Sequence, residues 1–217
     1  MVTPDLVSEE DIAKLIIPDD LPDEHPTFKA YIEAKVYDKE GHLIQYHRQP
    51  MRSLTQYFLA LISIPLVGTY QGASTNSATG ILTSVLGLPS SITTGYSANI
   101  SWDWAIQLGS GTQAFSLTLT GLAAPINNGT GAGELLYGSV SVSYAGSTIY
   151  VSIQVTNTTS SAISVTEIGL TGTIYIQYQN GSTNTYSFLL SYDTFSTAVS
   201  VPALGMAVFQ ITLSFTG

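Results

Sequence analysis

The stretch that decides the fold is residues 100–108, Ile100-Ser101-Trp102-Asp103-Trp104-Ala105-Ile106-Gln107-Leu108, in which large apolar side chains alternate with small or polar ones. Such alternation is typical of a β-strand with one buried face, because successive side chains on a strand point to opposite sides of the sheet. The same pattern recurs in short runs up to the C-terminus, for example in Phe115–Leu119, Ile149–Val155 and Tyr186–Leu190. This part of the chain is therefore predicted to be built from β-strands.

Turn-forming residues separate these runs, as in Asn127-Asn128-Gly129 and Ala145-Gly146-Ser147. About eight to ten short strands at this spacing predict an all-β domain. We interpret the pattern as a jelly-roll-like β-sandwich, with an immunoglobulin-like arrangement as the alternative, and expect one or two short helices beside it.

Residues 1–26 are predicted to form an N-terminal arm. The segment is acidic, and Pro18, Pro22 and Pro26 interrupt regular secondary structure. It also lacks the basic and apolar regions of a signal peptide. A form acting outside the cell would therefore need another export route or a longer precursor.

Residues 27–217 are predicted to be one β-sandwich domain that begins with a hairpin, Thr27–Val36 and His42–Tyr46. Apolar residues at helical spacing then predict an amphipathic helix over residues 51–64. Its apolar face has two interpretations, packing inside the same domain or assembly with a neighbouring subunit. The residues of that face are Met51, Leu54, Phe58 and Leu61.

Charge is distributed unevenly along the chain. All six Lys and Arg residues and all three histidines precede residue 53. Residues 53–217 carry carboxylates only at Asp103, Glu134, Glu167 and Asp193. A surface of this kind changes its charge little between neutral and acidic pH, which indicates an acidic extracellular environment. The formal net charge of −9 argues against nucleic acid as a partner.

Patterns for catalysis are weak. The histidines lie outside residues 53–217, there is no cysteine, and no Gly-x-Ser-x-Gly motif occurs. The Gly129–Gly133 loop leads into a predicted strand with no lysine after it, which disfavours a phosphate site. Glu134 with Glu167 or Asp193 has spacing compatible with a glycosidase pair, and turn capping is the alternative. We predict no enzyme activity, no cofactor and no metal site.

Two further patterns concern sugars. Trp102 and Trp104 share a strand face, where they either pack in the core or stack on a bound glycan. Asn-x-Ser/Thr sequons, the acceptor motif for N-glycosylation, make four asparagines candidate modification sites. They are Asn99 at the start of a strand and Asn128, Asn157 and Asn180 in predicted turns, where glycans would be accessible.

Several stretches resemble virion structural proteins. Residues 37–44 and 49–59 resemble a hairpin-plus-helix signature of phage and archaeal virus proteins, and residues 165–170, 189–195 and 201–205 are similar to the C-terminal part of such β-sandwich proteins. Together with the composition, the chain resembles the vertex proteins, of penton-base or turret type, of turreted icosahedral viruses of acidophilic archaea.

This resemblance implies a jelly roll that assembles with itself into a five-fold ring, a pentamer. It also implies that the arm reaches other capsid proteins, or an internal viral membrane or its anchor protein. We therefore predict an outward-facing virion structural protein. Two alternatives stay open: an extracellular filament or pilus subunit assembled by donation of the Thr27–Val36 strand, and a glycan-binding fibre domain that uses Trp102 or exposed tyrosines.

Overall fold

The structure is a computed structural model, and it describes residues 27–55, 58, 99–177 and 183–216. In these ranges the backbone forms nine strands in two sheets, and every strand pairing is antiparallel. This architecture confirms the predicted all-β, sandwich-like fold. The predicted arm, residues 1–26, lies outside the described residues.

The strands in chain order are β1 (Thr27–Tyr37), β2 (Leu43–Pro50), β3 (Asn99–Gly109), β4 (Leu136–Tyr137), β5 (Ser141–Ala145), β6 (Thr148–Thr156), β7 (Ile163–Gln177), β8 (Thr183–Val201) and β9 (Met206–Thr216). The first sheet has the order β2-β1-β9-β6, and both β4 and β5 pair with the far side of β6. The second sheet has the order β3-β7-β8.

The hairpin of β1 and β2 forms where the sequence predicts it. Asp38 closes the turn, because its Oδ1 accepts hydrogen bonds from the backbone amides of Glu40 (3.0 Å) and His42 (2.8 Å). Gly41 adopts the left-handed conformation that the turn requires, with φ +88°. The second strand continues to Pro50, four residues beyond the predicted end at Tyr46.

The core lies between the two sheets and follows the alternation seen in the sequence. Strand β1 shows the pattern clearly, since its even-numbered residues from Ala30 to Val36 are buried while the odd-numbered ones are more exposed. Removing such apolar surface from water contributes about 25 cal/mol per Å². Fully buried core residues come from both sheets and include Ile32, Leu108, Val155, Val165, Leu170, Val199, Phe209 and Ile211.

Strands β7 and β8 are longer than predicted. The sequence shows separate short runs there, whereas the structure joins them into strands of 15 and 19 residues. The register between the two strands shifts between Val165 and Glu167 and again between Leu170 and Thr171. Each irregularity breaks the regular alternation of apolar side chains, so the sequence pattern is interrupted although the strand continues.

Two glutamines of β2 complete the backbone hydrogen bonding of β8 where its pairing with β7 is interrupted. Gln45 and Gln49 each donate to a backbone oxygen and accept from a backbone amide of β8. The bonded groups are the oxygens of Thr194 and Ala198 and the amides of Ser196 and Ser200. These side chains therefore link the first sheet to the second.

The segment of residues 115–119, predicted as a strand, is not one in the structure. Leu119 donates from its backbone amide to the oxygen of Ser116 (3.1 Å), which closes a turn. Phe115 is 40% exposed and Leu117 is 54% exposed. The alternating apolar residues here lie in a loop outside the sheets, which periodicity alone does not distinguish from a strand.

The predicted helix over residues 51–64 does not begin at Met51. Residues 51–55 are extended, Leu54 forms a bridge with Ser191, and the Thr55 amide donates to the oxygen of Leu190 at 3.0 Å. Pairing with the free edge of β8 satisfies backbone groups that a helix would otherwise have to bond internally. The helical start predicted from spacing is therefore wrong.

Farther along this segment, Phe58 is helical, and its backbone amide donates to the Thr55 oxygen at 3.2 Å. Residues 59–64 lie outside the described residues.

Candidate functional site

Three of the four residues predicted to form an assembly face are described, and they pack against the core of the same domain. Phe58 is 3% exposed, and its ring centroid lies 5.6 Å from that of Phe28. Met51 and Leu54 are partly buried against the core. Leu61 lies outside the described residues. This packing favours the intramolecular interpretation of the predicted apolar face.

Asn157 is fully buried, which contradicts its prediction as an accessible glycosylation site. Its Nδ2 donates to the backbone oxygens of Ser161 (2.8 Å) and Val201 (3.0 Å). Its Oδ1 accepts from the backbone amide (3.0 Å) and hydroxyl (2.7 Å) of Thr159. The amide nitrogen that a glycan would need is thus occupied and shielded, so Asn157 is a structural residue of the β6–β7 loop.

The other sequons differ in their surroundings. Asn128 is exposed in a loop, as predicted, and its Oδ1 accepts from the backbone amide of Tyr137 at 3.0 Å. Asn99 is the first residue of β3, also as predicted. Asn180 lies outside the described residues.

Glu167 is a fully buried carboxylate on the outer side of the second sheet. Its Oε1 accepts from the backbone amides of Ala124 (2.8 Å) and Gly111 (3.2 Å), and its Oε2 accepts from Ala123 (3.1 Å). Three amide donors compensate the buried charge. They also fasten residues 110–124, which we call the tethered loop, against β7.

Tyr192 provides a second anchor for the tethered loop. Its hydroxyl accepts from the backbone amide of Gln113 (3.0 Å) and donates to the backbone oxygen of the same residue (3.2 Å). Burial raises the pKa of Tyr192, the Gln113 amide opposes this shift, and the nearby Glu167 carboxylate adds to it. The phenol is therefore a neutral structural group at physiological pH.

The carboxylates of Glu134 and Asp193 also serve backbone amides. Glu134 accepts from Gly131 at 2.8 Å, so its own carboxylate occupies the glycine-rich loop. An anionic ligand would meet like charge there. Asp193 accepts from the amides of Arg52 (2.9 Å) and Thr194 (2.8 Å). For these two residues and Glu167, the contacts correspond to turn capping and loop anchoring.

The remaining candidates for chemistry have other partners. His42 bonds Asp38 at 3.1 Å, and His47 bonds Gln49 at 2.8 Å. Trp104 is partly buried against the core, whereas the side chain of Trp102 is outside the described part of the chain. Within the described ranges, no group of three or more His, Asp or Glu side chains is placed to hold a metal ion.

One surface depression, of about 360 Å³, lies beside the β6–β7 loop. Its lining consists of small, apolar and hydroxyl side chains, among them Ser110, Ala132, Thr159 and Ile163. None of its lining residues is ionisable, so its side chains offer no general acid or base. Among the described residues, no helix is long and apolar enough to cross a membrane.

The outer face of β1 and β2, together with Gln210 of β9, holds a polar network. Glu33 lies at its centre and accepts from the Tyr46 hydroxyl (2.7 Å) and from the Gln210 side-chain amide (3.1 Å). The Arg48 guanidinium lies 4.8 Å from the ring centroid of Tyr31. Burial, followed by the neighbouring Glu33 carboxylate, raises the pKa of Tyr46 to about 12.

This network was not identified from the sequence. The alternation of polar residues in β1 was visible, but alternation does not tell which residues of β2 and β9 lie opposite them. The register supplies that information, because Glu33 pairs with Arg48 on one side and with Gln210 on the other.

Comparison of the chain with protein-family models, curated proteins and solved structures finds no match.

Proposed function

We propose that this chain is a virion structural protein, a capsid vertex subunit of penton-base or turret type. In this proposal it assembles with copies of itself into a five-fold ring that faces an acidic extracellular medium. The observation that carries the proposal is the structural use of the β-sandwich carboxylates. Glu134, Glu167 and Asp193 bond backbone amides, in a region of the sequence that contains no basic side chain.

The sheet edges support an assembling protein. Edge strands of soluble proteins usually carry charges or proline, which prevent pairing with other chains. Strand β2 has such residues, Arg48 and Pro50, but β5 (Ser141–Ala145) has none. Tyr144 in β5 is 69% exposed. An uncharged edge with an exposed aromatic residue favours contact with a neighbouring subunit.

The two alternatives have less support. Donation of β1 to a neighbouring subunit would require a free strand, yet β1 pairs along its length with β9 and over residues 31–37 with β2 in its own chain. A glycan site formed by the tryptophan pair would lose one member, because Trp104 is packed against the core. The pairing of β1 counts against the filament interpretation, and the packing of Trp104 counts only against a glycan site that uses both tryptophans.

Electron microscopy of the purified native particle tests the proposal directly. We expect density for this chain in five-fold rings at the capsid vertices. Helical filaments of the chain, or its absence from the particle, would refute the proposal.

Since the arm is proposed to bind other capsid proteins or an internal membrane and its anchor protein, deletion of residues 1–26 should abolish incorporation. The circular dichroism spectrum of the sandwich should stay unchanged.

A further inference from the structure

The outer face of β1 and β2 is positively charged, although the chain as a whole is acidic. Alternation on the strands places Lys29 and Lys35 of β1 and Arg48 of β2 on this face, together with Glu33. These four residues have a formal charge of 3 − 1 = +2, compared with −9 for the whole chain. We call this surface the basic face.

Two cations of the basic face are incompletely neutralised. Both oxygens of Glu33 already accept hydrogen bonds from Tyr46 and Gln210. Arg48 approaches Glu33 only at 3.9 Å, from its Nε, and its guanidinium instead lies over the Tyr31 ring. Lys35 is exposed and forms no ion pair with a described residue.

The arm contains a segment with complementary charge. Residues 5–24 contain eight carboxylates and one basic residue, Lys14, which gives a formal charge of 1 − 8 = −7. The carboxylates are Asp5, Glu9, Glu10, Asp11, Asp19, Asp20, Asp23 and Glu24. Because an extended chain spans at most about 3.3–3.6 Å per residue, about ten residues of this segment match the length of β1.

We propose that the acidic segment of one copy, residues 5–24, docks on the basic face of a second copy. Arg48 is pre-oriented by Tyr31 and offers a planar group suited to binding a carboxylate, while Lys35 provides a second positive charge. This inference rests on the proposed self-assembly. In a closed ring each subunit gives one arm and receives one, so the contact can repeat around the symmetry axis.

Zero-length carbodiimide cross-linking of the assembled full-length protein tests this contact. Light and ¹⁵N-labelled chains are mixed before assembly, and the cross-linked peptides are identified by mass spectrometry. We expect Lys35 of one isotope to be joined to arm carboxylates of the other isotope. Same-isotope cross-links alone would show that the arm docks within its own chain, and the absence of cross-links would show no contact. Either result overturns the proposal.

Charge reversal adds a second, independent measurement. Arg48→Glu should reduce the mixed-isotope cross-links at Lys35 by about tenfold, whereas Lys39→Glu, in the β1–β2 turn, should leave them unchanged. Combining Arg48→Glu with Asp19→Lys, Asp20→Lys and Asp23→Lys should restore mixed-isotope cross-links, now between the introduced arm lysines and the introduced carboxylate at position 48, because carbodiimide joins an amine to a carboxylate. Restoration excludes misfolding as the cause of the loss. Failure to restore the cross-links in a chain with an unchanged melting temperature would overturn the proposal.

The two proposals fail in different ways. If electron microscopy shows five-fold rings but no mixed-isotope cross-link forms, the vertex assignment stands and the arm exchange is wrong. If cross-links join different copies while the chain is absent from virions, the arm exchange stands and the vertex assignment is wrong. Increasing salt should weaken the exchange in either case, because it screens exposed charges.

Discussion

Gln49 donates a hydrogen bond from its side-chain amide to the backbone oxygen of Thr194 at 2.8 Å. The same side chain accepts from the backbone amide of Ser196 at 3.0 Å. One glutamine thereby provides β8 with a donor and an acceptor, as a neighbouring strand would. It does so where β8 pairs with β7 up to Thr194 and resumes only at Val199.

Replacing this glutamine should expose one backbone amide selectively. A net hydrogen bond contributes about 0.5–1.5 kcal/mol, so Gln49→Ala should speed exchange of the Ser196 amide by about tenfold. Gln45→Ala is the matched control, because Gln45 holds the Ser200 amide instead. Hydrogen exchange followed by NMR should show each variant affecting its own amide. Equal effects of both variants on both amides would contradict the separate roles.

Glu167 should be a principal stabilising side chain of the tethered loop. Glu167→Ala leaves three backbone amides without their acceptor, and one such buried loss alone costs about 1–3 kcal/mol. We therefore expect the free energy of unfolding in urea to fall by about 3 kcal/mol. Glu134→Ala removes a carboxylate from an exposed loop and should cost less than about 1 kcal/mol. Equal losses would show that the buried site has no special role.

The sequence was sufficient for the strand-rich fold, because alternation directly reflects one-sided burial, as in β1 and β3. It could not separate a strand from a loop at residues 115–119, or extended backbone from helix at residues 51–55. In both cases the deciding factor is a distant partner, such as Ser191 for Leu54. The same holds for the basic face, whose residues meet only through the register of β1 with β2.

Asn157 should remain unmodified even where the glycosylation machinery is present, because its Nδ2 is buried and makes two hydrogen bonds. Mass spectrometry of the chain expressed in a glycosylating host should show no glycan there, while the exposed Asn128 is available as the internal comparison. Asn157→Ala should also lower the free energy of unfolding by about 2 kcal/mol. A glycan on Asn157 in folded protein would contradict the described loop.

Tyr137 should control part of the alkaline stability. Its hydroxyl donates to the oxygen of Ile126 (3.0 Å), and burial raises its pKa to about 12, although the amide of Leu108 opposes the shift. The ordinary tyrosine pKa is about 10, so above that pH the unfolded chain loses this proton before the folded chain does. The stabilising effect is therefore complete below about pH 10 and is lost as the pH rises through about 12.

Thermal melts at increasing alkaline pH measure this effect. The melting temperature should fall above about pH 10, and Tyr137→Phe should make that fall shallower because phenylalanine has no proton to lose. Absorbance titration of phenolate should lose one late component in the variant. Tyr46→Phe is the comparison, since Tyr46 also has a pKa of about 12 but lies on the basic face. Loss of an early component instead of the late one in Tyr137→Phe would show that this phenol ionises together with the exposed tyrosines.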